Sequence, residues 1–284
     1  MHAGGVSTPQ GILVGYDGAS DGDLALEWAV ATAEHTHDPV RVVVVEDVSV
    51  NDGSGLWTDE YWEGVEARAV SLLRSLGVAE PQVDRLRGRP LEALLELAPH
   101  ASMLVVGSRG HGRVGELMLG SVSQHLAGHA ACPVVVARPA AKPDAARILV
   151  GMDGSGPAGR ALEVACRRAE QTGEEVAAVT GLRVARDVPV DQHGNIPDKM
   201  SARLLERERD LSVWTAPARD AHPGVRVSEE VVTLPAGRAL VDGSVDATLV
   251  VVGTRGRNAL TGLILGSTSH EVLHAAHCPV IVVR

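Results

Sequence analysis

Short, unbroken apolar runs alternate along this chain with stretches whose apolar residues sit three and four apart, the spacing of one helix face. Met103 to Val106 and Pro133 to Val136 are of the first kind, and Val40 to Val45 is nearly so, broken only by Arg41. So is Gly11 to Gly18, which closes on an acid and a turn, Asp17-Gly18. Runs apolar at every position describe strands covered on both faces, and strands alternating with helices imply a parallel sheet. Ser20 is placed to cap the helix after Asp17, with Leu24, Ala25, Trp28 and Ala29 along its inner face. Glu46 to Leu76 reads as a polar loop carrying Trp57 and Trp62, then a helix through Val65, Ala69, Leu72 and Leu73. Val83 to Leu86 is a weaker third strand, and Pro90 opens the next helix from its favoured first turn. A last helix is expected from about Ser121 to His129.

The same plan then runs a second time. Arg147 to Gly154 answers the first strand and turn, with Asp153 standing 136 residues after Asp17. From the third strand onward the spacing is 146, as between Cys132-Pro133 and Cys278-Pro279. The second copy is therefore about ten residues longer, and the extra length lies between Leu182 and Val227. Asp187 to Pro197 within it reads as a mobile surface loop. The expected organisation is a flexible tail over 1–10, a first domain over 11–138, a linker over 139–146 and a second domain over 147–284. Each domain is expected to be an open parallel α/β sheet with helices on both faces. Ligands of such sheets bind beyond the carboxyl ends of the strands at the switch point, where Asp17 and residues 107–110 fall.

Composition narrows the classes. At 284 residues with 45% hydrophobic content, both domains can bury real cores. A net charge of −10 argues against a general nucleic-acid or anionic-membrane binder, so any affinity for phosphate must be local. Met1 to Gln10 lacks the cationic patch and apolar core of a signal peptide, and no run approaches a membrane helix. Three cysteines, Cys132, Cys166 and Cys278, point to buried thiols in a reducing cytoplasm.

The candidate chemistry follows the strand at 103–106. Glycines stand at 107 and 110 and, after a nine-residue spacer, at 120, directly before Ser121. Gly253, Gly256, Gly266 and Ser267 repeat that grammar. A strand ending in glycine lets main chain approach a ligand with no Cβ in the way. Exposed N–H groups there make an anion-binding concavity, and the helix starting at the Gly-Ser adds its dipole. The chain thus reads as carrying two nucleotide sites.

Val14 to Ser20 together with Gly107-x2-Gly110-x9-Gly120-Ser121 resembles the universal stress protein family, in its ATP-binding branch. Val150 to Ser155 with Gly253-x2-Gly256-x9-Gly266-Ser267 does so again, as in the tandem-domain members. The resemblance implies a Rossmann-like sheet in order 3-2-1-4-5 that holds ATP, with or without Mg2+, across the switch point. It places Asp17 and Asp153, after Gly15 and Gly151, at the adenosine, and Val45 at the adenine. Gly107, Arg109, Gly110, Arg113, Gly120, Ser121, Val122 and Ser123 would form the phosphate and ribose loop. Gly253, Arg255, Gly256, Gly266, Ser267, Thr268 and Ser269 would form its counterpart. It further implies pairing of the domains through their last strands, Val134–Val136 and Val280–Val283, as a pseudo-dimer, with a homodimer beyond that. Gly181 stands where Val45 does and Ala259 where Arg113 does, so the second site is expected to be the weaker by about 1–2 kcal/mol.

Other motifs weigh less. Gly110-x-Gly112-x-x-Gly115 does not follow the first strand, lacks the acid a dinucleotide site needs, and is missing from the second copy. His270-Glu271-x-x-His274 has zinc-protease spacing, yet the matching helix of the first copy, Gln124 to Gly128, could not bind metal, so no metal ligands are assigned. His35 to Asp38 reads as an exposed helix end. The only lysines, Lys142 and Lys199, lie outside the loops, and no Walker motif exists. No catalytic residue is assigned, although Glu116 stays open as a base. The expectation is a stress-response regulator that binds ATP rather than turning it over. A slow ATPase or nucleotidyl-transfer enzyme is the alternative.

Overall fold

The computed structural model describes residues 11–48, 58–110, 119–182, 198–256 and 265–284, and divides into two compact units, Met1–Arg138 and Pro139–Arg284. The first unit runs β1 (Ile12–Tyr16), α1 (Ser20–Thr36), β2 (Val40–Asp47), α2 (Asp59–Ser75), β3 (Gln82–Gly88), α3 (Pro90–Leu97), β4 (Met103–Gly107), α4 (Ser121–His129) and β5 (Val134–Ala137). Its sheet is ordered β3-β2-β1-β4-β5, with every pairing parallel. The second unit runs β6 (Arg147–Gly151), α5 (Gly156–Thr172), β7 (Glu175–Gly181), α6 (Asp198–Ala221), β8 (Val227–Val232), α7 (Ala236–Gly243), β9 (Leu249–Gly253), α8 (Ser267–Ala275) and β10 (Val280–Val283). Its order, β8-β7-β6-β9-β10, is the same arrangement. The expected α/β architecture and strand order hold in both.

The valine-rich runs are the sheet cores: Val14, Val42, Val44, Val105 and Val135 are fully buried, as are Val150 and Val251. The chain contains no phenylalanine. Small helix residues fill the layer instead, and Ala25, Ala29, Ala161 and Ala165 lose all exposure. Gly15, mid-sheet between Val43 and Val106, takes the Leu94 side chain of α3 where a Cβ would stand 2.8 Å from it. Gly151 meets Leu240 of α7 in the same way. Both glycines let a leucine settle on the central strand. Burial also holds Cys132 and Cys166 as thiols, pushing each up to about 11.

Several local expectations are corrected. Ser20 does not cap α1; Ala19 is the N-cap, because the Asp17 carboxylate takes the Ala19 N–H at 3.0 Å and turns the chain one residue earlier. In the second unit the matching cap is Ser155, whose hydroxyl accepts from the Ala158 N–H. The inner stripe of α1 is Ala25, Leu26, Ala29 and Val30, with Leu24 and Trp28 only half-buried. Trp62 belongs to the first turn of α2, not to a loop. β3 is longer than its apolar centre, because Arg41–Asp84 and Arg85–Glu46 pair charged side chains across it. Part of the extra length of the second copy is helix, since α6 has 24 residues and α2 has 17. The loop expected at Asp187 to Pro197 lies outside the described residues.

Two features at helix ends can be tested. α1 ends on His37 in the left-handed region, φ 60°, where α5 ends on Gly173, φ 76°. A side chain there crowds its own carbonyl. His37→Gly is expected to raise stability by about 0.5–1 kcal/mol in denaturant unfolding. His222, at the C-terminal end of α6, is buried against α5. Its Nδ1 lies 2.8 Å from Glu170 and its Nε2 3.1 Å from Glu163. The Glu170 hydrogen bond, opposed by burial and reinforced by Glu163, raises its pKa. A raised folded-state pKa gives stability that is full below the unfolded value of about 6.5 and lost as pH climbs through the folded one. The gap in melting temperature between the parent and His222→Gln should therefore be widest near pH 6 and narrow toward pH 8.5; a gap independent of pH would refute the clamp.

Candidate functional site

Both halves of the first unit's motif converge where β1 and β4 leave the sheet. Asp17 follows β1 and is fixed by its bond from Ala19; its other carboxylate oxygen lies over Gly110, 2.7 Å from where a Cβ would stand. Gly107 ends β4 with the first turn of α1 pressed on it, so that a Cβ would meet the Asp21 main chain at 2.7 Å. Ser123, from α4, donates to the Gly107 carbonyl at 2.7 Å, and the Gly120 N–H donates to the Ser108 carbonyl at 2.8 Å. Together these staple the start of α4 to the exit of β4. The second unit repeats the staple with Ser269 to Gly253 at 2.6 Å and Gly266 to Thr254 at 2.8 Å.

The glycines of the motif thus serve different ends. Gly107 and Gly253 are required by helix packing, and Gly110 and Gly256 by the aspartate lying on them. Gly120 is different: among the described residues the nearest neighbour to a Cβ is 3.5 Å away, an ordinary contact, and it lines the cavity. As the N-cap of α4 it has no side chain to satisfy the first-turn N–H groups of Ser121 and Val122. A helix start uncapped from within is a site for an anion.

A cavity of about 270 Å3 lies at this junction. One side is polar main chain and Asp17: Gly107, Gly110, Gly120, Ser121 and Ser123. The other side is apolar, formed by Val43, Val45, Trp62, Pro90 and Leu94, with Asp47 at its edge. Val43, Val45 and Asp47 alternate onto one face of β2. Trp62 is nearly fully buried and meets Tyr61 edge-on at 5.1 Å. Burial, and then the charge of Asp17, push the Tyr61 hydroxyl's pKa up.

The sequence-predicted residues Gly15, Asp17, Val45, Gly107, Arg109, Gly110, Gly120, Ser121, Val122 and Ser123 all line this cavity. Arg113 and Glu116 lie outside the described residues, as do Trp57 and Ala259. Arg109 is not a free cation. Its Nε and Nη2 grip the buried Asp21 at 3.0 and 3.2 Å, and Ser108 donates to the same carboxylate. Burial alone would raise the Asp21 pKa, but the hydrogen bonds from Arg109 and Ser108 outweigh it and hold the carboxyl below its usual range. In the second unit Asp153 and Gly256 reproduce Asp17 and Gly110, and Ser267, Thr268 and Ser269 open α8. Gly181 occupies the register of Val45, paired to Val232 as Val45 is to Leu86. Pro157 stands at the position of Asp21, and Arg255 is exposed.

Sequence reasoning missed Asp47 and Asp21; for Trp62 it left open a nucleotide cover, a partner contact or a structural role, and the side chain lines the cavity. Asp47 could have been found, because it lies two residues beyond Val45 on a strand. Trp62 is three residues before Val65 and so on the same helix face. Nothing in the sequence singles out Asp21. The zinc-protease spacing leads elsewhere: Glu271 packs onto Gly237 of α7, and no cluster of three metal-binding side chains occurs among the described residues. No helix among them is long and apolar enough to cross a membrane.

The sequence pattern of the Universal stress protein family matches residues 10–138 and again 145–284. A universal stress protein of Mycobacterium tuberculosis is 36% identical, over 96% of this chain and 97% of its own. A second from that organism is 32% identical, over 98% and 96%. Among solved structures, a universal stress protein of Archaeoglobus fulgidus superposes with a TM-score of 0.70 at 23% identity, covering 98% of this chain and 99% of that one.

Gly107→Ala and Gly120→Ala separate packing from ligand approach. The first forces α1 off β4 and is expected to cost about 1–3 kcal/mol of stability. The second should unfold within experimental error of the parent, as read from urea denaturation. Equal losses in the two would show that Gly120 is also a packing glycine.

Proposed function

Because this chain belongs to the universal stress protein family, we propose that its first domain binds an adenine nucleotide, ATP above all, and that occupancy biases conformation or assembly in a stress response. The observation that carries this reading is Gly120, whose missing Cβ no contact with the described residues requires and which lines a cavity with both polar and apolar walls. The base would lie against Val45, Trp62 and Leu94, which need an aromatic, uncharged partner. The Asp17 carboxylate would accept from the ribose hydroxyls. The phosphates would take the N–H groups opening α4 and the main chain at Gly107 to Gly110. Mg2+ would enter with the nucleotide and offset the carboxylates of Asp17 and Asp47. Such a protein would work in the cytoplasm and associate as a homodimer.

Slow hydrolysis is the second reading, favoured by Asp47, which brings another carboxylate to the cavity edge. No lysine falls in either glycine loop to reach a terminal phosphate, so rapid turnover is not expected.

Protein purified without added nucleotide is expected to release intact adenine nucleotide on denaturation, identified by mass. Gly120→Ala should raise Kd for ATP at least about tenfold, near 1.4 kcal/mol, in titration calorimetry. No measurable affinity in the parent would sink the proposal. Sustained phosphate release that disappears in Asp17→Ala would favour the enzyme instead.

A further inference from the structure

Resting on that reading of the first domain, we infer that only the first repeat is built to take the adenine base, so that one chain binds one adenine nucleotide. The main-chain part of the phosphate side is kept in both repeats: Ser269 staples α8 to Gly253, and Gly266 has the same room at its Cα as Gly120 among the described residues. The base side is not.

At the position of Val45, Gly181 has the main chain closed upon it. A Cβ there would stand 2.5 Å from the Ala236 nitrogen and 2.6 Å from the Leu234 oxygen. These are backbone atoms at the start of α7, not side chains that can swing aside. In the first repeat the matching residues, Val45 and Pro90, both line the cavity. In the second, the segment before α7 fills that space itself.

The aromatic wall is also gone. Aligned on their C-terminal ends, Ser75 and Ala221, α2 and α6 place Glu208 where Trp62 stands. Val65 and Leu211, both buried, confirm that register. Trp62 is almost wholly buried, whereas Glu208 faces solvent. An exposed carboxylate neither stacks on a base nor tolerates a nearby phosphate.

The loop arginine differs as well. Asp21, which pins Arg109 beside the cavity, is replaced by Pro157, so Arg255 has no carboxylate at that place to orient it. Two independent positions, Gly181 and Glu208, therefore change on the side that would hold a base, and a third, Pro157, changes at the loop. The second glycine motif survives because α5 and Asp153 pack on Gly253 and Gly256.

The test combines stoichiometry with mapping. Titration of the full chain with ATP is expected to saturate at one equivalent, and Gly120→Ala should leave no second, parent-like phase. Photolabelling with an azido-adenine analogue of ATP, followed by peptide mass mapping, should mark peptides within residues 11–138 alone. Saturation at two equivalents, a residual equivalent in Gly120→Ala, or labelled peptides within 147–284 would overturn the inference while leaving the first site standing. An absence of any binding by the parent would overturn both together.

Discussion

The hydrogen bond from Ser123 to the carbonyl of Gly107 is the contact on which the site depends. A parallel sheet covered on both faces offers a ligand only the ends of its strands. β4 ends where α1 presses against it, so α4 must start from whatever direction that contact leaves. The serine fixes the direction, and the Gly120 N–H to the Ser108 carbonyl fixes the distance. With both bonds made, the residues that open α4, Ser121 and Val122, line the same cavity as Asp17. Without them the helix start would have no defined relation to β1. The same pair of bonds recurs in the second unit, which marks the staple as a requirement of the fold before it is a requirement of any ligand.

That ordering explains what could be read from the sequence. Strand and helix order were legible because unbroken valine runs admit little but buried parallel strands, and because the chain states the plan twice. The aspartate at the end of β1 and the glycine-serine pair at α4 were legible for the same reason. The cap of α1 was not, since Ser20 has the right chemistry and Ala19 does not. The deciding group is the Asp17 carboxylate, which turns the backbone before Ser20 is reached. Burial of Asp21 was illegible too. An acid in the first turn of a helix is ordinarily a solvated partner of the dipole. Only the close approach of α1 to β4 brings it under Arg109 and Ser108. The arginine assigned to phosphate is thereby engaged by the protein's own anion.

Internal repetition supplies a comparison that a single domain lacks, because the two copies share a scaffold and differ in side chains. In the first unit the Tyr16 hydroxyl donates to Asp23 at 2.7 Å, and Arg68 of α2 reaches both. Burial, and then the bond to Asp23, push the tyrosine's pKa upward. In the second unit the matching positions are Met152, Gly159 and Trp214. Met152 is buried, and the Trp214 indole lies on Gly154, where a Cβ would be 2.5 Å from it. A hydrogen-bonded set has become an apolar one, all three positions together. Such sets change as units because one orphaned member would leave a buried polar group unpaired.

The same logic governs how a glycine motif is to be interpreted. Three glycines in each copy satisfy one spacing rule, yet the rule merges three causes: a helix crossing at Gly107, a carboxylate resting on Gly110, and room at Gly120 among the described residues. The first persists whether or not a ligand is bound, since the fold needs it. Survival of the motif in a second repeat is then weak evidence for a second ligand. The decisive positions are those the scaffold leaves free, Val45 against Gly181 and Trp62 against Glu208. There the copies part. A tandem chain of this kind can retain a complete phosphate signature after the space for a base has been taken by its own main chain.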